Sequence, residues 1–191
     1  MEKYAIRLPE SLQFTDDEFF TFCQANRDLK FERNAKGEII IMSPTGGITG
    51  KKNSKLSAKL DYWNEVHGLG EVFNSSTGFL LPTGAVRSPD AAWVTQSRWQ
   101  ALTYPEQEKF PPLCPDFVVE LMSPSDTLPP AQEKMEEWMA NGCRLGWLIF
   151  PQEEKVLIYE GTTTEEVTGF DQILSGGDVL PGFSFDLTWL K

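Results

Sequence analysis

Glu120 stands inside Phe117-Val-Val-Glu-Leu-Met122, a run otherwise made of apolar residues. Such a run reads as a strand covered by helices on both faces, where an unpaired carboxylate costs several kcal/mol or takes up a proton. Glu120 therefore needs a cation. A lysine or arginine in a structural ion pair would serve, and so would a metal ion if a second carboxylate reached the same point. Two Pro-Asp dipeptides offer that carboxylate, Pro89-Asp90 and Pro115-Asp116. Asp116 and Glu120 share one face of one strand, but at about 3.3 Å per residue their backbones lie roughly 13 Å apart. Ligand distances of about 2.0–2.1 Å rule out a shared ion at that separation. Asp90 begins a different strand, and pairing of that strand with the Glu120 strand would bring the two acids together. Asp116 is then a turn residue at the start of its strand.

Hard oxygen ligands without thiolate or imidazole select magnesium or manganese. Such an ion can activate a water and offset the charge that develops on a phosphodiester. A protein cation to complete the site comes from the helix after Pro130, where Lys134 borders an apolar stripe of Ala131, Met135, Trp138 and Met139. The alternative for a lone helical lysine is a solvated surface role.

Other candidate chemistry is weaker. The single histidine, His67, precludes histidine-rich zinc sites and leaves any Ser/His/Asp triad resting on one residue. Its place beside Gly68 at the end of a helix suits a side chain that complements the helix dipole. The stretch from Ile39 to Lys51 imitates a phosphate loop, yet three residues separate Gly46 from Gly50 where four are needed, and Lys52 occupies the magnesium-binding Ser/Thr position. Lys51, Lys55 and Lys59, with Lys52 alongside, form a basic edge on one helix. It is either a solvated face or a set of phosphate contacts. Cys23, Cys114 and Cys143 form no C-x-x-C pair and read as small hydrophobes.

The elements that position these residues follow from periodicity. Thr15 and Glu18 form a capping box before a first helix over Asp16 to Asn26. A strand over Glu38 to Met42 leads through a glycine turn into a longer helix with Leu56, Leu60 and Trp63 on one stripe, ended by Gly68. Strands are expected over Glu71 to Asn74 and Thr77 to Leu81, a turn over Pro82 to Ala85 leads to the segment Ser88 to Val94, and one or two short helices lie between Gln96 and Phe110. Pro129 and Pro130 open the Lys134 helix and Gly142 closes it. Strands over Leu145 to Phe150 and Lys155 to Glu160, a shorter strand and an apolar tail complete an α/β chain.

With 191 residues, 40% hydrophobic and 24% charged, the chain matches one ordinary globular domain. The charged, proline-containing start MEKYAIRLPE is unlike a secretory signal, and no window reaches about 18 apolar residues, so a cytoplasmic protein is expected. A net charge of −11 argues against nonspecific coating of nucleic acid, so any polyanion must meet a local basic patch.

The segments Arg87-Ser-Pro-Asp-Ala-Ala-Trp-Val94, Pro115-Asp-Phe-Val-Val-Glu-Leu-Met-Ser-Pro-Ser125, and Lys134 followed by Asn141-Gly-Cys-Arg-Leu-Gly-Trp-Leu-Ile149 resemble the Uma-type restriction endonuclease family, a branch of the PD-(D/E)XK superfamily. The likeness runs from about Thr15 to Leu190. It implies a restriction-endonuclease-like fold, a central mixed β-sheet flanked by helices, with Asp90 as first metal ligand, Glu120 as second acid and Lys134 as the basic residue. The superfamily places its lysine two positions after the acid, where this chain has Met122, so the cation must have moved to the following helix.

The expectation is a magnesium- or manganese-dependent endonuclease that cuts DNA. Asp90 and Glu120 would bind the ion, with the Leu121 carbonyl as a further ligand, and Lys134 would serve the attacking water or the developing charge. Two rivals remain: a binding or regulatory domain without turnover, and a purely structural ion-pair network with a tryptophan-rich surface used for oligomerisation. A homodimer is the expected assembly.

Overall fold

The computed structural model describes residues 4–191. The chain begins with β1 (Tyr4–Ile6) and α1 (Asp16–Ala25), whose Thr15/Glu18 capping box forms as the sequence requires. β2 (Lys30–Arg33) and β3 (Ile39–Met42) then pair antiparallel, and α2 (Gly47–His67) follows, closed by Gly68 in the left-handed conformation at φ 62°. β4 (Gly70–Asn74), β5 (Phe79–Leu80), β6 (Val86–Arg87) and β7 (Ala91–Thr95) come next, then the short helices α3 (Gln96–Gln100) and α4 (Tyr104–Glu108). β8 (Phe117–Leu121), α5 (Leu128–Ala140) and β9 (Leu145–Phe150) form a parallel crossover unit. β10 (Lys155–Glu160), β11 (Thr163–Thr168), β12 (Ile173–Ser175), β13 (Ser184–Asp186) and a 3-10 turn over Leu187–Leu190 end the chain.

The strands form a six-stranded mixed sheet in the order β11-β10-β9-β8-β7-β4 and a five-stranded sheet in the order β1-β3-β2-β6-β5, with β12 and β13 as a separate pair. This is the mixed α/β architecture expected, with helices on the faces of the large sheet. Side chains of β8 alternate between two cores. Phe117, Val119 and Leu121 pack with Leu56, Leu60 and Trp63 of α2 and with the C-terminal Phe183, Phe185 and Leu190. Val118 faces Met135 and Trp138 of α5, and the period of two puts Glu120 on that α5 face.

β6 belongs to the smaller sheet and β7 to the larger, so Ser88, Pro89 and Asp90 lie where the chain passes from one to the other. The register Ala91↔Val119 makes β7 the antiparallel neighbour of β8, the pairing on which the approach of Asp90 to Glu120 depends.

Three expectations change. β2 is a strand that periodicity did not reveal, because Lys30-Phe-Glu-Arg33 looks like a solvated segment, whereas Glu32 and Arg33 are buried against opposite charges. The strand expected over Thr77 to Leu81 shrinks to β5, since the Thr77 amide donates to the Asn74 carbonyl and makes a turn there. The tryptophan-rich surface does not exist: Trp63, Trp93, Trp138 and Trp147 are buried in the cores, and Trp99 and Trp189 pack against them. Among the described residues, no helix is long and apolar enough to cross a membrane.

Candidate active site

Lys134 is brought inward by the helix that carries it. The prolines in the first turn of α5 start the helix, and Met135 and Trp138 bury its apolar stripe against the large sheet. Gly146 on β9 permits the close approach, since a Cβ there would lie 2.3 Å from Met135 Cε. Lys134 is consequently only 7% exposed. Its ammonium donates to Glu120 Oε1 at 2.8 Å, to Glu32 Oε1 at 2.9 Å and to the Ser88 carbonyl at 2.9 Å. An ammonium has three donors, so all are used. Lysine also explains how Glu120 tolerates its strand: the expected cation is present as an ion pair, reinforced by Trp138 Nε1 donating to Glu120 Oε1 at 2.9 Å. Glu120 Oε2 takes no hydrogen bond from the described residues.

Asp90 arrives beside this pair from the start of β7. Its amide donates to the Val119 carbonyl at 2.9 Å, which locks the backbone to β8. Its Oδ2 accepts the Leu121 amide and its Oδ1 accepts Asn53 Nδ2, both at 2.8 Å. The three residues singled out in the sequence therefore converge, from β7, β8 and α5.

Glu32 was not singled out, and it is the most enclosed acid of the group at 0% exposure. Besides Lys134, it accepts the Ser88 amide at 3.0 Å and Arg87 Nη1 at 3.1 Å. Arg87 in turn donates to Glu137 of α5. Phe31 between charged neighbours was the one local signal for β2, but the partners of Glu32 lie far along the chain, so its burial could not be read locally.

The electrostatics separate the acids. Burial alone would raise the Glu32 pKa, but the charges of Lys134 and Arg87, with hydrogen bonds from Lys134 and the Ser88 amide, outweigh it and hold the group at about 2. Glu120 is shifted the other way: burial raises its pKa, Lys134 opposes, and the nearby charges of Asp90 and Glu32 add to the rise. Asp90 is also raised, by burial first, against the Leu121 amide and Lys134, with Asp126 adding to the rise. Burial would lower the Lys134 pKa, yet Glu120 and Glu32 push it well above the usual lysine value. Two carboxylates held above their ordinary range by burial and by neighbouring negative charge are groups that a second cation would stabilise.

Asp90, Glu120 and Lys134 line a cleft of about 580 Å³, together with Asn53 and Thr49 of α2, Lys30 of β2 and Asp126. The donor set fits a magnesium-type ion. Magnesium is usually held by one or two carboxylates plus waters and substrate phosphates, with no need for an all-protein cage. No cluster of three or more His, Cys, Asp or Glu suited to a metal occurs among the described residues, so Asp90 and Glu120 would act as a pair. Asn53 Oδ1, buried and without a hydrogen-bond partner, is an orphaned acceptor on the same wall.

The remaining candidates lie elsewhere. Asp116 is 2% exposed, accepts the Thr95 amide at 2.9 Å and pairs with Arg98 at 3.0 Å, a structural role at the start of β8. His67 Nδ1 lies 2.8 Å from the Trp63 carbonyl, and the ring stacks on Trp63 at the end of α2. Lys55 donates to the Trp189 carbonyl at 3.3 Å, and Lys59 lies 4.0 Å from the centre of the Trp189 ring. Neither they nor Lys51 and Lys52 line the cleft. A second cleft of about 590 Å³ between the start of α1 and α4 is lined by Asp16, Asp17 and Glu106, each already engaged: Asp17 pairs with Lys109 at 2.7 Å, Asp16 with Arg33, and Glu106 accepts the Thr103 hydroxyl and amide.

The Uma2 family, described as "Putative restriction endonuclease", matches residues 16–188. A crystal structure described as a putative nuclease belonging to DUF820 from Anabaena variabilis is similar over 93% of this chain and 99% of that one, with a TM-score of 0.74 and 19% identity. That likeness shows the fold, the restriction-endonuclease-like arrangement of a mixed sheet between helices. No curated protein shows a significant match.

Proposed function

We propose, given that this chain belongs to the Uma2 restriction endonuclease family, that it is a magnesium- or manganese-dependent endonuclease acting on DNA, folded as one domain over residues 1–191. The observation that supports this most is the meeting of Asp90 and Glu120, from two paired strands, in one cleft beside Lys134. Asp90 and Glu120 would hold the ion, which would supply an activated water and a positive charge to set against that of the phosphodiester.

The chain's own groups orient those acids. Asn53 and the Leu121 amide fix both oxygens of Asp90. Lys134 and Trp138 hold Oε1 of Glu120 and leave its other oxygen free to face the cleft. With its three donors committed, Lys134 acts first by positioning Glu120 and keeping it charged, and it reaches a developing phosphate charge only by releasing one partner. Lys51 and Lys52, in the first turns of α2, would contact phosphates farther along the DNA. Lys55 and Lys59 would have to leave Trp189 to do the same. A homodimer acting in the cytoplasm completes the reading; the dimer is carried by the family resemblance alone, since the tryptophans are spent in the core.

Plasmid nicking in magnesium and in manganese tests the proposal. Wild type should nick with either ion and lose activity in EDTA, while Glu120→Gln should fall by a factor of at least about 100, the scale on which a positioned charge contributes to catalysis. Equal nicking by both proteins would sink it. A second reading, a nuclease fold that binds without turnover, is favoured by the saturated hydrogen bonding of Lys134 and by Met122 at the superfamily's lysine position. It predicts DNA binding with no nicking by any variant.

A further inference from the structure

We infer that Lys30 is the residue inside the cleft that binds a backbone phosphate of the nucleic-acid substrate. The inference rests on the nuclease reading above and adds to it a contact from a strand that the sequence did not reveal. A protein with net charge −11 must concentrate its phosphate contacts locally. Among the described residues, two cations line the cleft, Lys30 and Lys134. Lys134 is buried with its three donors satisfied by Glu120, Glu32 and the Ser88 carbonyl. Lys30 is half-buried and its ammonium donates to one acceptor, the Ser75 carbonyl, which leaves two of an ammonium's three donors for a ligand.

The geometry of β2 explains the division of labour. Lys30 and Glu32 are two residues apart on one strand and so project to the same side. Glu32 reaches inward to Lys134, while Lys30 stays on the cleft wall and still feels the charges of Asp90, Glu120 and Lys134. An ion on the two acids and an ammonium on the adjacent wall would then hold neighbouring oxygens of the same phosphate backbone. Ser43, Thr45 and Thr49 line the same cleft, and hydroxyl side chains suit the same ligand.

The test is fluorescence anisotropy of a short DNA duplex at several salt concentrations, with calcium in place of magnesium to limit cleavage. Wild type is compared with Lys30→Ala, Lys30→Arg and a charge-matched control, Lys36→Ala, on the exposed turn between β2 and β3. Lys30→Ala should bind about tenfold more weakly with a salt slope shallower by about one. Lys30→Arg should recover most of the affinity, and Lys36→Ala should match wild type. Calorimetric titration with manganese should give the same affinity for Lys30→Ala as for wild type, which also establishes that the variant is folded. Equal DNA binding by wild type and Lys30→Ala overturns the inference and leaves the nuclease reading intact. Wild type that binds no DNA overturns both, and loss of manganese binding in Lys30→Ala overturns the phosphate role in favour of a structural one.

Discussion

Glu32 and Glu120 hold the same ammonium: Lys134 Nζ lies 2.9 Å from one and 2.8 Å from the other. The two acids come from strands of different sheets, β2 and β8. The ion pair therefore joins the sheets at the point where β6 gives way to β7, and Ser88 at that junction supplies the third acceptor. The same contacts that tie the sheets together fix Glu120 in the cleft.

Removal of Glu32 should be costly. Breaking a buried pair leaves a charge uncompensated, at about 3–5 kcal/mol. Glu32→Ala should lose stability on that scale in urea denaturation, with an unchanged m-value. A loss below about 1 kcal/mol would contradict the account.

Acid should erode the same interaction. The folded pKa of Glu32, about 2, lies below its ordinary value of 4.5. Its contribution is thus present above pH 4.5 and lost as pH falls through about 2, and the difference corresponds to about 3 kcal/mol. Glu120 and Asp90, with raised values, act in the opposite sense: their contribution is present at low pH and is lost as pH rises through their folded pKa. The stability gap between wild type and Glu32→Gln isolates the first effect. It should narrow between pH 4.5 and 2, and a constant gap would refute the assignment.

Divalent ions should stabilise the fold by relieving the two raised acids. At 100 times its Kd an ion that binds only the folded state adds about 2.7 kcal/mol. Thermal melts with manganese should rise for wild type and stay flat for Asp90→Asn. An equal rise in both would place the ion elsewhere.

Asp116 supplies the control for a carboxylate of similar sequence context. Asp116→Asn weakens the pair with Arg98 and should cost about 1–3 kcal/mol. Nicking at a temperature where the variant is folded should match wild type, because Asp116 does not line the cleft. Loss of nicking together with loss of metal binding would reassign it.

Much of the site was legible because its acids break strong patterns. Glu120 interrupts an apolar run, and Asp90 could be separated from Asp116 by strand geometry alone. Lys134 borders an apolar helical stripe that had to face the sheet. Glu32 and Lys30 were illegible for the converse reason: in Lys30-Phe-Glu-Arg33 charges are common, and only a distant Arg87 and Lys134 make burial of Glu32 tolerable. The lysine edge of α2 followed helical spacing correctly, yet spacing could not reveal that the C-terminal turn would bring the Trp189 carbonyl to Lys55 and its ring to Lys59. Aromatic count likewise says nothing of location, and the tryptophans proved to be core residues.

The central claim, that Asp90 and Glu120 share one ion, is tested most directly by crystals soaked in manganese and measured for anomalous scattering. A peak within bonding distance of a carboxylate oxygen of each residue, absent from crystals of Asp90→Asn, is the predicted result. A saturating soak that leaves no peak between the two acids would contradict it.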